Sequence, residues 1–131
     1  MIFTDSMIIC HLAEAIWGPI EINQIVVDIL NKVTGMDVTV QEAQLTAERI
    51  WNVIRAFAVR EGLRREHDTL PKRFLTEPIP DGPSKGMVIT EETLEKMKDE
   101  YYTLRGWDMA TGIPTPQRLL RLDLPDIAED M

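Results

Sequence analysis

One stretch, Glu48 to Pro71 (ERIWNVIRAFAVREGLRREHDTLP), limits the fold most: an apolar helix stops at a glycine and opens into a charged loop. The helix is predicted to run from Val40 to Arg60, because Thr39 can cap its first turn and Glu42, three residues on, completes a capping box. Its apolar positions Ala43, Ala47, Ile50, Trp51, Val53, Ile54, Phe57 and Ala58 cover more than half its circumference, so neighbours must pack on more than one side. This is the central helix of an all-α domain. Gly62 ends it, and Leu63 to Gly86 then holds four prolines and two glycines, a composition that forbids long regular structure. A loop of that length either wraps the surface in a defined path or approaches a partner or a site.

The flanking segments read as helices too. Ile22, Ile25, Val26, Ile29, Leu30 and Val33 fall at helical spacing and predict an amphipathic helix from Glu21 to Val33, closed at Gly35. Thr90 is a good N-cap for a helix from Glu91 to Arg105, with Leu94, Met97, Tyr101 and Leu104 on its apolar face and Gly106 as its stop. Gly112 to Pro116 forms a turn, Thr115 and Pro116 open a short helix to Leu122, and the acidic tail LPDIAEDM is expected to fray.

Composition narrows the class. A chain of 131 residues is one domain, 1–131, with room for a core that needs neither disulfide nor structural metal. Acidic residues outnumber basic ones 22 to 14, and the net charge of -8 disfavours nucleic acid and anionic membrane as partners. The single cysteine excludes an internal disulfide, no apolar run is long enough to span a bilayer, and MIFTDSM lacks the basic residues of a secretion signal. A cytoplasmic protein is expected. Without a glycine-rich phosphate loop or a nucleophile elbow, nucleotide binding and hydrolase chemistry are disfavoured.

Cys10 carries the strongest metal or redox potential, since a thiolate binds soft metals and iron-sulfur clusters. Taken alone, among Ile8, Ile9 and Leu12, it reads more readily as a small apolar core group. His11 and His67 do not share a helix face, and Glu91, Glu92 and Glu95 read as an exposed helix start. No residue is assigned a catalytic role. The charges Arg60, Arg64, Arg65, Glu66 and Asp68 have two readings: ion pairs within the loop, or arginine forks that bind a carboxylate or phosphate of a cofactor or partner domain. Of Trp17, Trp51 and Trp107, most are expected in the core.

The segments TGMDVT, ERIWN, AFAVREG, DTLPKRF, GPSKG and DEYYTLRGWDMATGIPTPQRL together resemble, in order and spacing, the C-terminal helical domain of the tungsten-containing aldehyde ferredoxin oxidoreductases. The resemblance implies part of an enzyme that oxidises aldehydes at a tungsten held by two pterins and passes electrons through a 4Fe-4S cluster to ferredoxin. Asp5-Ser6-Met7-Ile8-Ile9-Cys10 is similar to the family pattern Asp-x-x-Gly-Leu-Cys, which implies that Asp5 binds a pterin and that Cys10 is both a cofactor-binding residue and a metal ligand, the last of four cluster thiolates. Ile8 stands where the pattern has glycine, so a backbone conformation open to glycine is expected to be lost. The chain carries neither the pterin-binding β domain nor the Cys-x2-Cys-x3-Cys group. It is therefore expected to hold no cofactor when isolated and to act through a partner subunit that carries both, reaching ferredoxin indirectly. A non-catalytic helical binding or structural module, from a truncated relative without cofactors, is the alternative.

Overall fold

The computed structural model describes residues 2–8 and 22–131. Among them the secondary structure is helical: α1 (Ile2–Ser6), α2 (Gln24–Thr34), α3 (Val40–Arg60), α4 (Lys72–Thr76), α5 (Glu91–Arg105), α6 (Pro116–Arg121) and α7 (Pro125–Glu129), with a short 3-10 turn at Arg65–His67. The all-α expectation holds. None of these helices is long and apolar enough to cross a membrane.

Local chemistry sets the helix ends. The Thr39 hydroxyl accepts the Glu42 N–H at 3.2 Å while the Glu42 carboxylate accepts the Thr39 N–H at 2.8 Å, so α3 begins at Val40 as the capping box requires. At its other end Leu63 N–H bonds to the Ala58 carbonyl at 2.9 Å and Gly62 N–H to Val59 at 3.0 Å, a Schellman closure in which Gly62 takes φ +98°. Asn23 caps α2 by accepting the Val26 N–H, which places the helix start after Asn23 and not at Glu21. The Thr90 and Thr115 side chains cap α5 and α6 as expected.

Two packed regions share α3. Against its N-terminal half, Phe3 of α1, Val27 and Leu30 of α2 and Ala43 form one apolar cluster. Around its C-terminal half lie Ala56, Val59, Tyr102, Trp107, Leu119 and Leu122, all buried. Several predicted faces are displaced. On α2 the buried residues are Leu30 and Val27, the latter outside the predicted stripe, whereas Ile25, Ile29 and Val33 of that stripe are exposed. On α5 the buried residues are Lys98 and Tyr102, each one position beyond the apolar Met97 and Tyr101, and Leu104 points to solvent. On α3, Val53, Ile54 and Phe57 are exposed, and the buried set includes Asn52 and Arg55. The acidic tail does not fray but forms α7, with Pro125 in its first turn and Ala128 N–H bonded to the Leu124 carbonyl at 3.1 Å.

The segment from Leu63 to Gly86 follows a defined path. Arg65 N–H bonds to the Thr111 carbonyl at 2.9 Å, and Ile79 N–H to the Met87 carbonyl at 3.0 Å closes a turn through Gly82 and Gly86. Its prolines confine helix to the short α4.

Candidate functional site

Two places hold the chemistry anticipated from sequence. The first is the N-terminal segment. Asp5 is exposed near the end of α1, and its backbone carbonyl accepts the Ile8 N–H at 3.1 Å. Cys10 lies outside the described residues, as do His11 and Trp17. Ile8 adopts φ +56°, the left-handed region that favours glycine. The backbone at Ile8 thus takes a conformation open to glycine, although a β-branched residue stands there. A β-branched residue is strained there, and its side chain is 94% exposed, so it contributes almost no burial in return. Replacing Ile8 by glycine should stabilise the fold by about 1 kcal/mol, since relief of the left-handed penalty exceeds the entropy lost by glycine. Urea unfolding measures it; a destabilised variant would mean that the isoleucine makes a contact worth more than its strain.

The second place is a polar network beneath the C-terminal half of α3. Arg55, with a side chain only 9% exposed, grips Asp68 through both terminal nitrogens, at 2.9 Å to Oδ1 and 2.6 Å to Oδ2. Its Nε donates to the Gly112 carbonyl at 2.8 Å. The guanidinium also lies 4.8 Å from the Trp107 ring centroid, a favourable cation-π distance. The Tyr102 hydroxyl donates to the second Asp68 oxygen, and the Trp107 indole N–H donates to Asn52 Oδ1 at 2.9 Å. Three chain segments thus meet on one guanidinium: the central helix, the charged loop and the turn before α6.

The arginines beyond α3 have internal partners. Arg64 donates to the Val59 and Leu63 carbonyls at 2.7 Å each, satisfying acceptors at the helix end. Arg65 reaches α5, bonding Asp99 at 2.7 Å, Glu95 at 3.0 Å and the Met109 carbonyl at 2.6 Å. Arg60 pairs locally with Glu61, whereas the Arg65 pairs run between elements and brace the loop against α5. Glu48 does the same elsewhere, joining Arg105 of α5 and Arg118 of α6. Among the described residues no group of three or more His, Cys, Asp or Glu could hold a metal ion. The sequence reading missed Asn52, Arg55 and Tyr102. Their signal was polar residues inside an otherwise apolar helix and an aspartate and tyrosine within DTLPKRF and DEYYTLRGWDMATGIPTPQRL.

Protonation links this network to pH. Burial pushes the Asp68 carboxyl up, but hydrogen bonds from Arg55 and Tyr102 and the charges of Arg55 and Lys98 together outweigh it and hold the group below its ordinary value. A depressed carboxylate stabilises the fold above the unfolded value near 4, and that stability is lost as pH falls through the folded value. Tyr102 moves the other way: burial and the Asp68 carboxylate push its hydroxyl up to about 12. Its contribution is complete below about 10, the unfolded value, and declines as pH rises through the folded one. Stability should therefore be flat between about pH 5 and 9 and fall on both sides. In the Asp68→Asn variant the acid limb should shrink, as urea titrations across pH would record.

The comparisons agree with the resemblance seen in the sequence. Residues 1–124 match the family described as aldehyde ferredoxin oxidoreductase, domains 2 and 3. The tungsten-containing aldehyde ferredoxin oxidoreductase of Pyrococcus furiosus is 46% identical over 88 residues, which cover 66% of this chain and 14% of that protein. For the enzyme of the same name from Pyrococcus horikoshii the figures are 43% over 100 residues, 76% of this chain and 16% of that protein. The chain thus spans only a small part of the length of these relatives. Among solved structures, the active site complex BamBC of benzoyl coenzyme A reductase, in complex with 1,5-dienoyl-CoA, superposes with a TM-score of 0.58 at 26% identity, over 73% of this chain and 13% of that one. The match of the family model over nearly all of its sequence establishes that this chain belongs to the aldehyde ferredoxin oxidoreductase family.

Proposed function

We propose that the chain serves as the C-terminal helical part of a tungsten-pterin, iron-sulfur aldehyde:ferredoxin oxidoreductase, contributing to cofactor binding but inactive alone. The carrying observation is the family match over residues 1–124. Residues 1–131 act as one scaffold organised on α3, and the parts that hold the pterins and three cluster thiolates come from outside it. Asp5 supports this reading, because an exposed carboxylate on a helix end can accept hydrogen bonds from pterin N–H groups. Cys10 supplies the fourth thiolate of a 4Fe-4S cluster. When bound, the tungsten pterin and cluster supply the oxidation of aldehyde to carboxylate and the electron path to ferredoxin. This chain's own part is to supply Asp5 and Cys10 and to brace α1 against α3. The acidic balance and lone cysteine favour a cytoplasmic setting, with neither nucleic acid nor membrane as partner.

Co-expression with the polypeptide carrying the remaining domains, followed by iron and tungsten analysis of the purified complex, tests the reading. Changing Cys10 to serine should abolish the visible absorption of the cluster and the bound iron while leaving the far-UV helical signal intact. Full iron content in that variant would refute the ligand role. A non-catalytic structural module remains the second reading, favoured by the Ile8 side chain projecting into solvent where the family pattern has glycine. Under that reading the Cys10→Ser change affects packing alone.

A further inference from the structure

We propose that Tyr102 is a redox site, which gives one electron through Trp107 and Trp51 to a strong outer-sphere one-electron oxidant and its proton to Asp68. This inference is independent of the iron-sulfur and pterin assignment. The Tyr102 hydroxyl already donates to Asp68 Oδ2, and Arg55 keeps Asp68 ionised through two bonds, so the proton has one existing hydrogen bond to cross. The step balances: the oxidant is reduced by one electron, the phenol O–H breaks, and a neutral tyrosyl radical stands beside a carboxylic acid. Loss of an electron turns a phenol into a strong acid, so a carboxylate is base enough to take the proton.

The chain has two tyrosines, adjacent in sequence, and the fold tells them apart. The Tyr101 hydroxyl accepts the Trp51 indole N–H at 2.6 Å, and its own O–H meets no acceptor among the described residues. Without a base, oxidation would leave a cation in a place where burial penalises charge. Tyr102 has the carboxylate, and at 2% exposure its radical would be shielded from solvent and from a second chain.

The route from the surface is continuous. Trp51 is partly exposed, its ring centroid lies 6.4 Å from that of Trp107, and Trp107 lies 5.8 Å from Tyr102. Charge sets the direction of transfer. The Arg55 guanidinium is 4.8 Å from the Trp107 centroid, a contact that is favourable to a neutral ring and repulsive to a ring cation. An electron hole therefore does not rest on Trp107. It passes to Tyr102, where loss of the proton cancels the charge on the ring.

Photogenerated tris(bipyridine)ruthenium(III), an oxidant of the stated class, provides the test on the full chain, with freeze-quench electron paramagnetic resonance as the readout. A tyrosyl radical signal should appear, be lost in Tyr102→Phe and be retained in Tyr101→Phe. Asp68→Asn removes the base and should abolish the signal as well. In the unchanged chain, deuterium oxide should slow formation of the radical, because a proton moves with the electron. Far-UV circular dichroism checks that the variants are folded, and Tyr102→Phe, which keeps the ring and its packing, decides the matter if Asp68→Asn is not. The proposal fails if only tryptophan radicals form, if the tyrosyl signal survives Tyr102→Phe or disappears equally in Tyr101→Phe, if a folded Asp68→Asn variant keeps it in full, or if deuterium oxide has no effect.

Discussion

Replacing Arg55 by alanine should lower the stability of the fold by about 3 kcal/mol, the largest effect expected from a single polar side chain here. The change removes both bonds to Asp68, the bond to the Gly112 carbonyl and the stacking on Trp107 together. Breaking a buried pair costs about 3–5 kcal/mol because the remaining charge is left without a partner. Asp68 is 28% exposed, so water can recover part of that loss, and the lower end of the range applies. Arg55→Lys should be intermediate, since an ammonium can bond one carboxylate oxygen but cannot reproduce the fork. Urea unfolding is the measurement: a shift in midpoint with unchanged slope is expected. A loss of less than about 1 kcal/mol would show that the pair behaves as a solvated surface contact and does not hold the loop to the helix.

Gly112→Ala is the second large effect, again about 3 kcal/mol, and it should depend on Arg55. Gly112 takes φ +71°, which already penalises any side chain by about 1 kcal/mol. A Cβ there would also overlap the Arg55 Nη2 atom and come within 3.0 Å of the Tyr102 ring and hydroxyl. The Arg55 end is not free to swing aside, because Asp68 holds both of its terminal nitrogens. Gly62 offers the control: at φ +98° it has the same conformational penalty, but no atom within 4 Å. Gly62→Ala should therefore cost only about 1 kcal/mol. In an Arg55→Ala background the Gly112→Ala effect should fall to a similar value, as a double-mutant cycle would reveal. Additive losses would mean that the damage at Gly112 does not run through Arg55.

These effects explain how the charged loop is placed. Asp68 is tied to α3, Arg65 to α5 and the Arg65 N–H to Thr111, so a proline-rich segment gains a fixed course without regular structure. The same network orders Trp107 and Tyr102, which bond to Asn52 and Asp68.

The sequence by itself determined the elements that depend on neighbours in the chain. The bounds of α3 follow from Thr39, Glu42 and Gly62, those of α5 from Thr90 and Gly106, and the start of α6 from Thr115 and Pro116, because capping bonds and left-handed stops act within a single turn. The ordered family segments are local in the same sense. Only the tertiary structure decided which faces are buried. Hydrophobic periodicity pointed to Ile54 and Phe57 on α3 and to Met97 and Leu104 on α5, yet the fold buries Asn52, Arg55, Lys98 and Tyr102. A polar side chain can be buried when its partner is in place, and those partners, Asp68, Gly112 and Trp107, are brought to the helix by segments distant in sequence. Ile8 is a further case: side-chain identity argued against the left-handed conformation, and the folded chain adopts it nonetheless.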